Sequence, residues 1–212
     1  MLGYIILKFK TMKKLLLIGV MLCMLFSCNS HKGQEWVDLG LPSGLKWATC
    51  NVGASDPEDY GHYYTWGETD HWAEFDPDKA TEIYKAVEDG LDISGNPGYD
   101  AARAKWGGKW RMPTEREFDE LIDKCDWTWT SQGGRKGYKV TGPNGNSIFL
   151  PAAGVPDGGE RLRDGKVGRY WSCTPVVRTG YVAVNLNFDE EQPRLSMSMF
   201  DLRCCIRPVL ED

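Results

Sequence analysis

In the stretch "MPTEREFDELIDKC" the apolar residues Phe118, Leu121 and Ile122 keep the i, i+3, i+4 spacing of one helix face, and Asp119, Glu120 and Asp123 fall on the other side. Thr114 is followed three residues later by Glu117, the spacing of a capping box, in which each side chain satisfies a backbone N–H that the first turn leaves without a partner. Glu115 sits in that first turn, where the helix dipole favours an anion. These carboxylates therefore read as scaffolding rather than as a catalytic acid and base. Just upstream, "GYDAARAKWGG" places three alanines between an N-cap at Asp100 and a glycine stop at Gly107, which predicts a second short helix.

Elsewhere the period is two. Trp36, Val37 and Leu39 predict a strand, Pro42, Ser43 and Gly44 a turn, and Leu45, Trp47 and Ala48 the returning strand. "GYKVTGPNGNSIFLPAAG" alternates into Val140, turns at Pro143 to Asn146 and returns through Ile148 to Leu150, a hairpin with the Asn-Gly signal. "YVAVNLNF", Tyr181 to Phe188, and "LRCCIRPV", Leu202 to Val209, predict two further strands around an irregular loop containing Gln192 and Pro193. Along the first of these, Val182, Val184, Leu186 and Phe188 share the face expected to be core, and Tyr181, Ala183, Asn185 and Asn187 the face expected to be exposed. From Ser55 to Gly98 the chain is rich in Asp, Gly, Pro and Tyr with little period, apart from a helical turn near Lys79 to Val87, and reads as a long ordered loop.

The N-terminal part has a different character. From Met12, "MKKLLLIGVMLCMLFSCNS" sets two lysines before an apolar run from Leu15 to Phe26 and ends in a lipobox-like Leu25-Phe26-Ser27-Cys28. The run is too short for a bilayer core of roughly 30 Å, so residues 1–27 read as a signal peptide whose translation starts at Met12. Cys28 becomes the lipidated N-terminus, residues 28–34 a polar tether, and residues 35–212 the single globular domain. Multiple acyl chains on Cys28 tether the protein to the cell envelope, at the outer membrane, on either its surface or its periplasmic face.

Charge and cysteine content narrow the chemistry. Without residues 1–27 the chain has 21 basic and 30 acidic residues, a formal charge of −9, which argues against a nucleic-acid partner. All nine tryptophans and 22 of the 24 glycines lie after residue 27, as in a loop-rich domain packed around large aromatics. With Cys23 and the lipidated Cys28 set aside, five cysteines remain, Cys50, Cys125, Cys173, Cys204 and Cys205; the number is odd, so at least one thiol is free, and the spacing fixes no pairing. Adjacent Cys204 and Cys205 on a strand point to opposite faces, so at most one is expected to face the core.

Three pieces in order, Trp110 to Glu115, Tyr170-Trp171-Ser172 and the closing Leu202 to Val209, resemble the formylglycine-generating-enzyme branch of the C-type-lectin-like fold. "DLGLPSGLKWATCNVGA", "YYTWGE", "AARAKWGGKWRMPTEREFDELI" and "NSIFLPAAG" are more closely similar to the Fibrobacter succinogenes major paralogous domain, a family frequent in lipoproteins of gut Bacteroidetes. The resemblance spans Trp36 to Val209. It implies an α+β, C-type-lectin-like fold with short helices, small antiparallel sheets and long ordered loops, and it carries no agreed activity with it.

The enzyme branch implied by the resemblance holds copper with two reactive cysteines shortly before its last strand. The matching segment here, Ser172 to Leu202, offers only Cys173, which departs from that pattern. The lectin branch holds calcium on a loop of carboxylates and amides around a proline. Here Glu191-Gln192-Pro193 is followed by Arg194, which supplies no oxygen to a site needing about 6 to 8 of them. His62, Glu68, Asp70 and His71 form a histidine and acid cluster without a spacing that would converge them on a metal, and read as polar residues of an ordered loop. No metal and no cofactor is expected. What remains is a non-catalytic binding module for a glycan or protein, with a formylglycine-type oxidase and a structural subunit of a surface assembly as alternatives. In proteins of this shape the last strands present an exposed ligand face. The candidate ligand-binding residues there are Arg178, Tyr181, Asn185, Asn187, Asp189, Arg194 and Asp201, side chains suited to adaptable contacts.

Overall fold

The computed structural model describes residues 34–71, 73–157 and 160–211, which belong to one compact unit. Cys28 and the rest of the expected signal peptide and lipid site lie outside these residues. In chain order the elements are β1 (Trp36–Asp38), β2 (Lys46–Ala48), α1 (Pro77–Glu88), α2 (Ala101–Trp106), β3 (Trp110–Arg111), α3 (Glu115–Lys124), β4 (Asp126–Gln132), β5 (Arg135–Thr141) and β6 (Ser147–Pro151). Then follow β7 (Val155–Asp157), β8 (Glu160–Leu162), β9 (Gly168–Pro175), β10 (Val182–Phe188), β11 (Pro193–Met199) and β12 (Val209–Leu210). The strands form small antiparallel sheets with orders β1-β2-β12-β3, β11-β10-β9, β4-β5-β6 and β7-β8. Short helices beside small antiparallel sheets make this an α+β domain.

Local sequence chemistry explains most of these elements. Thr114 and Glu117 form the reciprocal capping box of α3, whose buried residues are Phe118 and Leu121. Asp100 caps α2, and its carboxylate also accepts from the backbone N–H of Gly95 (2.8 Å) and Met112 (2.9 Å), so one buried side chain ties three segments together. Gly145, at φ 86°, turns the β5–β6 hairpin, and the amides of Asn144 and Asn146 both donate to the Asp38 carbonyl at 2.9 and 2.8 Å.

Three expectations need correction. The stretch read as loop with one helical turn contains α1, a helix of 12 residues with Pro77 in its first turn and an N-cap at Asp76. Its buried residues are only Ala80, Ile83 and Val87, an apolar stripe too thin to stand out from the surrounding charges. The predicted last strand from Leu202 to Val209 is mostly irregular: Cys204 and Cys205 make single bridges to Tyr64 and Tyr170, and regular pairing begins at Val209. Glu120, expected on the solvated face of α3, accepts from the N–H (2.9 Å) and hydroxyl (2.6 Å) of Ser43 and so pins the β1–β2 turn.

The core has two clusters of buried residues. One gathers Trp47, Phe118, Leu121, Val140, Leu150, Tyr170, Leu186, Phe188 and Cys205; the other gathers Trp66, Ile83, Met112, Trp171, Ala183, Phe200 and Cys204. Tyr170 and Trp171 on β9, and Leu186 and Ala183 on β10, fall in different clusters, as residues on opposite faces of a strand must, so β9 and the middle of β10 separate two cores while β11 stays partly exposed. The expected exposed face of β10 is therefore wrong at Ala183 and Asn185, both fully buried. The same geometry corrects the cysteine pair. Cys204 and Cys205 do point to opposite sides, but both sides are core, and both thiols are buried.

Two tryptophans stitch the layers together. The Trp66 indole donates to the Ser172 carbonyl at 2.8 Å, and the Trp171 indole donates to the Tyr64 carbonyl at 2.9 Å, a reciprocal pair joining the loop around residues 60–68 to β9. Arg207, fully buried, replaces its lost hydration with protein acceptors: Asn51 Oδ1 (2.9 Å) and the carbonyls of Ala48 (3.0 Å), Thr49 and Phe149 (2.9 Å).

Candidate functional site

The candidate ligand residues do not converge on one surface. Asn185 faces the second core, its amide N–H donating to Ser198 Oγ at 2.9 Å and its Oδ1 without a hydrogen-bond partner among the described residues. Asn187 is half-buried opposite Arg194, and Arg194 donates to Asp189 at 3.1 Å. That bond is the main reason the Asp189 carboxyl titrates below its ordinary range. Tyr181 and Asp201 lie at the other end of the sheet, seven residues of strand away, or about 23 Å. Arg178 is exposed in the β9–β10 turn with a left-handed φ of 68°.

Only the Tyr181 end has the form of a site. A cleft of about 210 Å³ opens between the first turn of α1 and the end of β11, lined by Phe75, Thr81, Tyr181, Met199, Phe200 and Asp201. Tyr181 and Thr81 share a hydrogen bond of 3.1 Å, and the Tyr181 ring packs on Tyr84 (5.2 Å) and edge-on to Phe200 (6.1 Å), so the polar tip and the ring are both fixed. Phe75 is 40% exposed and Met199 53%, and Met197 two residues before it is 66% exposed. Of the lining residues, sequence reasoning reached Tyr181 and Asp201. It did not single out Phe75, just before the N-cap of α1, or Thr81, inside the predicted helical turn, because the surrounding stretch was read as a long ordered loop.

The histidine and acid cluster is divided among different partners. Glu68 accepts from Lys79 Nζ at 2.6 Å, whereas His62 stacks on His71 with ring centroids 3.5 Å apart. Asp70 Oδ1 lies 3.9 Å from His71 Nδ1. No group of three or more His, Cys, Asp or Glu side chains among the described residues is arranged to hold a metal ion.

The thiols are poor nucleophiles. Burial raises Cys50, pushes Cys125 up to about 11 and Cys173 and Cys205 up to about 12, and raises Cys204 well above its ordinary value. All five are free, and Cys204 and Cys205 belong to different cores. The carboxylates of α3 are likewise occupied. Burial alone raises the Glu117 carboxyl, but a two-pronged Arg111 contact (2.6 and 2.8 Å) and the Thr114 N–H (2.8 Å) outweigh it and hold it below its ordinary value.

The chain matches no protein-family model, no curated protein and no solved structure. Function must therefore be argued from the geometry.

Proposed function

We propose that this protein is a cell-envelope lipoprotein, lipidated at Cys28, whose C-type-lectin-like domain of the Fibrobacter paralogous type binds a ligand without catalysis. The observation that carries the binding reading is the cleft at the end of β11, where a fixed aromatic wall meets side chains left exposed at considerable hydrophobic cost. Its lining of Phe75, Tyr181, Met199 and Phe200 suits an apolar side chain of a protein ligand. β11 is the outer strand of its sheet, so an extended ligand segment can lie alongside it. Glycan binding was the other half of the sequence expectation, and a cleft with two hydroxyls and one carboxylate offers it fewer polar contacts.

The oxidase alternative asks for two thiols that share one copper ion and deprotonate readily. Cys204 and Cys205 face opposite cores, and burial raises every thiol of the domain. The structural-subunit alternative finds its best support in the exposed Met197 and Met199.

The test is a combined protein and glycan array probed with the full-length protein. A reproducible protein binder whose signal falls at least about tenfold with Phe75→Ala or Met199→Asp supports the reading. No reproducible binder, or a binder indifferent to both substitutions, removes it. Stoichiometric copper held by thiols in native mass spectrometry favours the oxidase instead, and concentration-dependent polymerisation abolished by Met199→Asp favours the structural subunit.

A further inference from the structure

A second cavity, sharing no lining residue with the cleft, opens beside the stacked histidines. Its volume is about 430 Å³, within the range of roughly 300 to 1,000 Å³ typical of small-molecule sites. Tyr64, His62, His71, Lys105 and Trp106 line it. We propose that this cavity binds a carboxylated sugar, such as a uronic or sialic acid unit of an acidic glycan.

Tyr64 is 1% exposed, its ring is held in the second core, and its hydroxyl has no hydrogen-bond partner among the described residues. A buried hydroxyl left unpaired is costly, and Tyr64 is one of the residues lining the cavity, so a ligand acceptor that the lining admits returns what folding removed. Burial is the main reason this phenol titrates above its ordinary range, so it remains a donor across physiological pH.

Charge selects the ligand. The molecule as a whole is acidic, yet Lys105 at this cavity has no ion-pair partner among the described residues. Arg203 also lies close, donating to the His71 carbonyl at 3.1 Å. Asp70 is the acid of the neighbourhood, 3.9 Å from His71 and largely exposed. The exposed Lys105 ammonium is the cation among the cavity's lining residues, and it is the group there that an anion pairs with.

The stack is built rather than incidental. His62 lies where a Cβ on Gly53 would stand, 2.4 Å from its ring, so the glycine at φ 83° makes room for it. Trp106 adds what a bare anion would not use. Its indole, braced edge-on by Trp110 at 5.0 Å and half-buried at the cavity wall, offers a flat apolar surface of the kind on which the C–H face of a sugar ring packs. A carboxylate on Lys105 and Tyr64 with a ring on Trp106 satisfies both chemistries at once.

The imidazoles give the site a pH sign. Burial lowers both, and the Lys105 charge lowers both further, with Arg203 adding to the effect on His71 and Asp70 opposing it. Both rings are thus neutral near pH 7 in the free protein. A bound carboxylate favours a protonated ring, so binding takes up a proton and strengthens as pH falls from about 7 towards 5.

Isothermal titration of the full-length protein with methyl glucuronide, methyl galacturonide, N-acetylneuraminic acid, neutral methyl glucoside and inorganic phosphate tests this inference. At least one acidic sugar is expected to bind saturably, about tenfold or more tighter than the glucoside and than phosphate, and tighter at pH 5.5 than at pH 7.5. Lys105→Ala and Tyr64→Phe are each expected to weaken it about tenfold without lowering the melting temperature, and Trp106→Ala to bring the sugar down to the level of phosphate. Failure of all three acidic sugars, equal binding of the glucoside, or phosphate binding as tightly as the sugars would overturn the assignment. The monosaccharide readout does not depend on the β11 cleft, so this inference and the proposed protein ligand stand or fall separately.

Discussion

Two polar clusters in this domain end in opposite states. Beneath α3, Arg111 donates from Nε to Glu211 (2.6 Å) and from both terminal nitrogens to Glu117, and Glu117 in turn accepts from the Thr114 N–H. Every charge there has its complement. Beside the stacked histidines, the Tyr64 hydroxyl has no hydrogen-bond partner and Lys105 no ion-pair partner among the described residues, and an open cavity stands between them. A satisfied cluster holds a fold together, and its loss is felt as instability. A buried group left unsatisfied, as the Tyr64 hydroxyl is, costs the fold something and is therefore better explained by what it meets from outside. Ionisable residues alone do not distinguish the two cases; the accounting of partners does.

Arg207 is the extreme of the satisfied kind. Arg207→Met fills similar space but leaves Asn51 Oδ1 and the carbonyls of Ala48, Thr49 and Phe149 without a donor. The expected loss is about 3–5 kcal/mol, read as a lower urea midpoint with an unchanged slope. A loss below about 1 kcal/mol would mean that the buried guanidinium is not what unites these segments.

Arg111→Ala comes next, with an expected loss of about 2–3 kcal/mol, because Glu117 keeps its partial burial and loses its counter-charge. The pH dependence sharpens it. Glu117 titrates lower in the folded protein than its ordinary value, so its contribution is complete above about pH 4.3 and disappears as pH falls through the folded value. Urea midpoints measured from pH 7 to pH 3 should therefore fall more steeply below pH 4.3 in the parent protein than in Arg111→Ala. Parallel acid limbs would show that Arg111 is not the source of the shift.

How far these clusters were legible in the sequence follows from how local they are. The capping box of α3 and the N-cap of α2 are written within four residues, and both stand in the structure as expected. The alternation along β10 was also legible, but its meaning was not. A strand that reads apolar on one face and polar on the other implies one exposed face only if a single layer covers it. Here loop residues around Trp66 and Phe200 supply a second layer over Ala183, and Asn185 is sealed with it. For the same reason the Cys204 and Cys205 pair alternated as expected and was buried twice. Hairpin β4–β5 illustrates a different miss: Trp127 and Trp129 alternate with threonines before Gly133 and Gly134, a strand-and-turn pattern available in the sequence and passed over. The Tyr64 hydroxyl could not be read from the sequence, since a missing partner is a property of the packed molecule.

The smallest expected effect is the most discriminating one. Tyr64→Phe deletes a single oxygen from a residue whose ring packs in the second core, leaving the apolar contacts and the backbone bonds to Cys204 in place. Were the hydroxyl part of a satisfied network like that of Arg111, its removal would strand a partner and cost about 1–3 kcal/mol. With no partner to strand, removal lifts a desolvation penalty, and the expected change lies between zero and a gain of about 1 kcal/mol. Thermal unfolding of the two proteins at pH 7 decides it. A melting temperature equal to or above that of the parent places Tyr64 with the cavity, whereas a fall of more than about 4 °C places it with the scaffold and dissolves the contrast between the two clusters.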